Sequence, residues 1–131
     1  MKKMVFALAA VLAVNVAVAQ EAETATEEDY TVVLPESAQA CVLPAAPDSI
    51  PPDATYDQLV EAKKHVADFQ AGLGVYRECM TAAEASAGEA LTPGNKQALV
   101  QSYNYSVDME ERVATRFNDA IRSYKERNPS Q

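Results

Sequence analysis

Two long stretches of this chain carry their apolar residues at alternating gaps of three and four. In the first, Leu59, Ala62, Val66, Phe69, Leu73, Tyr76, Met80, Ala83 and Ala87 follow one another without a break. That heptad spacing predicts a helix whose seam packs along its length on a nearly parallel or antiparallel partner. Thr55 stands where an N-cap belongs, Gln58 follows three residues on as a capping box requires, and Gly88 supplies a stop. In the second stretch Val100, Tyr103, Val107, Ala114, Phe117, Ile121 and Tyr124 keep the same rhythm. Thr92 and Pro93 suit the N-cap and first helical position, and Asn128-Pro129 ends the run. So short a connection forces the two helices to lie antiparallel, as in an αα-hairpin.

The second rhythm has one flaw: its fourth position, where an apolar residue is expected, is Glu110. A carboxylate on a seam is costly unless it is paired. With the turn near Ala90, Glu110 is expected level with Gln70. Either the helix rotates it toward water, or it is a polar device that fixes register or meets a partner. Tyr103 and Tyr124 are assigned to the core, whereas Tyr105 points elsewhere and marks exposed apolar surface. A face left open by the hairpin could be covered by dimerisation into a four-helix bundle.

Ahead of the helices lies "CVLPAAPDSIPP", Cys41 to Pro52, with four of the chain's seven prolines and one of its two cysteines. Cys41 to Thr55 is 14 residues, about 43 Å in a proline-rich extended form. Thr55 to Cys79 is 24 residues, about 36 Å of helix. The segment can therefore run back along the first helix and reach Cys79, and a Cys41–Cys79 disulfide is expected. Gly72, Val75 and Cys79 share a face beside the seam, and Gly72 and Gly74 are read as places where the segment comes close. The expected fold is all-α: an antiparallel two-helix hairpin over 55–127, braced by an extended, proline-rich clip over 41–54.

Residues 1–19 read as a signal peptide: Lys2 and Lys3, then an apolar run from Val5 to Val14, then Ala17-Val18-Ala19 before a cleavage point at Gln20. Residues 20–40 read as an acidic disordered tail that includes a short apolar strip, Tyr30 to Leu34. That strip either packs on the helices or is offered to a partner as a strand. The net charge is −8, and becomes −10 once Lys2 and Lys3 leave with the leader. Such a chain is repelled by nucleic acid and by anionic lipid, and no segment is apolar for long enough to insert stably in a bilayer.

Chemistry is sparse. One histidine, no tryptophan, no phosphate loop, no CxxC pair and no HExxH motif are present. Glu61, His65 and Asp68 share a helix face, which reads as solvated surface rather than a metal site, with Lys64 beside it. No enzyme activity, cofactor or metal is expected. The interaction candidates are Glu110, Tyr105, Tyr30, Val32, Val33 and Leu34, toward a protein partner or a second copy of the chain.

Taken together, "CVLPAAPDSIPPDAT", "FQAGLGVYREC" and the "LTPGN" turn resemble a group of small exported bacterial proteins in which a Cys-Pro segment precedes a helical hairpin carrying Tyr-x-x-Cys. The resemblance covers Cys41 to about Arg127 and brings no activity with it. A weaker resemblance is to periplasmic helical chaperones of the Spy/CpxP type, which carry Leu-Thr-x-x-Gln turns. Here Leu91-Thr92 runs into Pro93, Gly94 and Asn95, so the motif's glutamine is missing. These likenesses imply a periplasmic, non-catalytic interaction or structural protein, with a chaperone of unfolded clients as the alternative.

Overall fold

The computed structural model describes residues 31–130. The stretch read as a signal peptide and most of the stretch read as an acidic tail, Tyr30 included, lie outside them. Among the described residues the chain is all-helical: a one-turn helix α1 (Glu36–Gln39), α2 (Tyr56–Ala87), a 3-10 turn (Gly88–Ala90) and α3 (Pro93–Arg127). The two long helices form the antiparallel hairpin, and residues 31–54 form a strap against it. None of these helices is long and apolar enough to cross a membrane.

Both long helices begin as their sequences dictate. Thr55 accepts from the Gln58 backbone N–H while the Gln58 side chain accepts from the Thr55 N–H. Thr92 and Asn95 make the same reciprocal pair at the start of α3, with Pro93 in the first turn. Each box satisfies two N–H groups that the helix itself leaves unbonded. Gly88 ends α2 at φ +49°, a conformation that suits glycine.

The seam of α2 is where its spacing puts it: Leu59, Phe69, Leu73, Tyr76, Met80 and Ala83 are all buried. All but Leu59 divide between two core clusters. Tyr76, Met80 and Ala83 pack with Leu99 and Ala38 near the turn, and Phe69 and Leu73 pack with Val113 further down. Leu43 of the strap touches both clusters. A two-helix hairpin has only one shared face to bury, so core supplied from a third element matters.

The first half of α3 departs from its pattern. Val100 and Tyr103 are 59% and 47% exposed, while Leu99 and Ser106 are buried. The packed face is therefore one residue out of phase: Leu99, Ser106 and Val113 keep a seven-residue repeat in place of Val100, Val107 and Ala114. Tyr103 is not a core residue. Tyr124 is half-buried, its ring 6.3 Å from that of Tyr56.

The strap is held at five points. Asn95 donates to the Val33 carbonyl, and the Ser37 hydroxyl donates to the Ala83 carbonyl at 3.1 Å. Cys41 and Cys79 form a disulfide with Cα atoms 5.7 Å apart. A Cβ built on Gly72 would stand 3.1 Å from Cβ of Pro44, so the glycine admits the strap. Arg127 donates to the carbonyls of Pro52 and Ala54. Two expectations fail here. Gly74 has open space where its side chain would be, and Val75 is 67% exposed, so the strap passes over neither. The stretch before Cys41 is also more structured than its composition suggested: α1 buries Ala38 in the upper cluster, and Leu34 packs beside it.

Candidate functional site

The described surface carries three regions with chemical character. The first grows from Glu110, the flaw in the apolar rhythm. The one-residue shift in phase takes Glu110 off the centre of the seam to its flank, where its side chain is 31% exposed. It is not met by Gln70, which is exposed. Arg77 of α2 meets it instead, Nη2 to Oε2 at 2.7 Å. The same guanidinium donates through Nε to the Ser106 hydroxyl at 2.9 Å, and its carbon lies 5.8 Å from the centre of the Tyr103 ring. Ser106, fully buried, donates in turn to the Tyr103 carbonyl at 2.6 Å.

This cluster explains the phase of α3. Ser106 is small enough to let Arg77 lie across the interface and polar enough to accept from it. Val107 in that place would leave the guanidinium's Nε without a partner, at a cost of about 1–3 kcal/mol. No buried side-chain nitrogen or oxygen among the described residues lacks a partner. Sequence reasoning missed Arg77 and Ser106, and the available signal was weak: an arginine flanking the first seam and a serine where the second expected none.

Next to the cluster, the outward turn of Val100 and Tyr103 opens a shallow groove floored by Met80 and Leu99 and edged by Thr81 and Glu84. No strap residue lines it. Tyr105 is 54% exposed on another face of α3, beside Met109, Asp108, Glu111 and Arg112. Val32 and Val33 are exposed at the head of the strap, and Leu34 is half-buried. The structure therefore does not bring the interaction candidates together. Glu110 sits in the Arg77 cluster, Tyr105 stands apart, and Val32 to Leu34 lie near the hairpin turn.

The third region is a cleft of about 230 Å³ where the strap crosses both long helices, lined among others by Ile50, Val66, Val113, Glu61, His65 and Arg116. Asp68 lies outside it, on a neighbouring depression that also includes His65. Glu61 is engaged by Lys64 at 3.1 Å and by His65 at 3.3 Å. The hydrogen bond from Lys64 is the main cause holding its carboxyl below the usual carboxylate range. Among the described residues no three acidic, histidine or cysteine side chains converge as a metal site would require.

Fold and surface together define a disulfide-braced helical hairpin. Comparison of the chain with family models, curated proteins and solved structures finds no match.

Proposed function

We propose that this chain is a non-catalytic, exported helical interaction protein, and that it meets its partner through the groove around Tyr103. One observation carries the reading: Val100 and Tyr103 face solvent although the sequence offers them for burial. The Arg77–Ser106–Glu110 cluster holds α3 in the phase that turns them outward. Exposed side chains of this size beside a satisfied polar cluster are what a protein partner would bury, and tyrosine is enriched at such contacts. The disulfide agrees with an oxidising compartment. The net charge, −8 for the whole chain and −10 without Lys2 and Lys3, favours a partner with a basic rim.

A second reading has its own support. The face carrying Tyr105 and Met109 mixes these apolar groups with Asp108, Glu111, Arg112 and Arg116. A mixed apolar and charged surface suits a chaperone that holds unfolded clients weakly. Photo-crosslinkers placed at positions 103 and 105 of the exported protein, followed by mass spectrometry, separate the two. One dominant foreign protein at position 103 is the expected result. A spread of unrelated proteins at position 105 establishes the chaperone reading, and crosslinks only between copies of the chain establish self-association.

A further inference from the structure

The cleft under the strap shares no lining residue with the Tyr103 groove, and its chemistry differs. Its floor is apolar: Ile50 from the strap, Ala62 and Val66 from α2, and Val113 from α3. Its volume of about 230 Å³ lies below the roughly 300–1,000 Å³ of drug-sized ligand sites, so it suits a small ligand. Small-molecule sites have this composition, an apolar wall with a few polar groups that fix orientation.

The polar rim is rich in uncommitted donors. Arg116 makes no ion pair among the described residues, and only its Nε leans on the Arg112 carbonyl, at 3.4 Å. The strap has no hydrogen-bond ladder of its own, so the backbone N–H groups of Asp48, Ser49 and Ile50 bond to no other described residue. The Ser49 hydroxyl adds a further donor. Of the two carboxylates on the rim, Glu61 is already occupied by Lys64 and His65. Asp48 and Glu61 both oppose an anion, Glu61 the less because Lys64 offsets its charge.

We infer that this cleft binds a small apolar carboxylate, its hydrocarbon part on Ile50, Val66 and Val113 and its carboxylate on Arg116 and the strap's free N–H groups. The strap thereby does more than brace the hairpin: it supplies one wall and part of the anion-binding rim of a site that the two helices alone do not have. A guanidinium pairs with a carboxylate through two parallel bonds, which gives the site orientation as well as affinity.

The test is titration of the full, oxidised, isotope-labelled protein with hexanoate, hexanol and hexylamine, followed by amide chemical shifts. Hexanoate is expected to give saturating shifts at Ser49, Ile50, Ala62 and Val66, and hexanol and hexylamine to bind at least about tenfold more weakly. Arg116→Gln, an exposed substitution that leaves the fold intact, is expected to remove that advantage. Asp48→Asn is expected to tighten hexanoate binding, because it removes an opposing charge. Absence of saturating shifts with hexanoate overturns the proposal, as does equal binding of all three probes or an unchanged affinity in Arg116→Gln.

Discussion

The two long helices carry the same apolar rhythm and use it differently. In α2 the rhythm is the interface: six of its seam residues, from Leu59 to Ala83, are buried. In the first half of α3 Val100 and Tyr103 of the apolar series face solvent, and Leu99, Ser106 and Val113 do the packing. Hydrophobic spacing selects the packed face when nothing else competes for it. Where a long charged side chain must cross the interface, the position that accommodates it outweighs a stripe of larger apolar residues. The shift also turns a defect into a pair, since Glu110 lies on the flank where Arg77 reaches it.

Substitutions can break this comparison at graded cost. Leu73→Ala should have the largest effect, since Leu73 is fully buried, and a loss of about 3–5 kcal/mol in chemical denaturation is expected. Val100→Ala, one of the apparent seam residues of α3, should stay within about 0.5 kcal/mol. Comparable losses for the two would put α3 back in the phase its sequence suggests.

Arg77→Ala should cost about 1–2 kcal/mol, because both side chains of the ion pair keep some water access that offsets part of the lost interaction. Adding Glu110→Ala should cost less than the two separate losses combined, which a double-mutant cycle measures. Simple additivity would show that the pair does not act as a unit.

The two glycines of α2 give a finer contrast. Gly74→Ala meets open space and should stabilise by about 1 kcal/mol through helix propensity. Gly72→Ala drives a methyl to within 3.1 Å of Pro44, so it should gain nothing or lose stability as the strap is pushed away. Equal gains in thermal melting would mean that Pro44 of the strap does not lie against Gly72.

Glu61→Gln should give the smallest effect, with no resolvable change in melting temperature, since its ion pairs are exposed and screened by water. The sign is nevertheless fixed. A carboxyl whose pKa is lowered on folding stabilises above its unfolded value, and the contribution disappears as pH falls through the lowered one.

What could be read from the sequence follows a physical division. Local rules sufficed for the helix ends, because a cap is a matter of three or four neighbouring residues such as Thr55 and Gln58. Heptad spacing sufficed for α2, whose seam is uninterrupted. Chain length and a pair of cysteines sufficed for the Cys41–Cys79 bond. The phase of α3 was not legible, because it depends on an arginine 29 residues from the serine that receives it. Nor was α1, where a four-residue helix is held by tertiary contacts of Ala38 rather than by its own propensity. The cleft was not legible: Glu61 and His65 read as solvated surface, and Arg116 and the strap's free N–H groups acquired meaning only when the strap was placed across both helices.

The hairpin keeps its shape because a covalent bond holds a third element, the strap, on it. Thermal melting of the oxidised and the reduced protein tests this most directly. Residues 41 and 79 are 38 apart in sequence, and opening a loop of that size should cost about 4 kcal/mol. In a domain this small, that is a fall of roughly 15–30 °C in melting temperature. Coincident melts with and without reductant would contradict the account and leave the hairpin standing on its helix–helix seam alone.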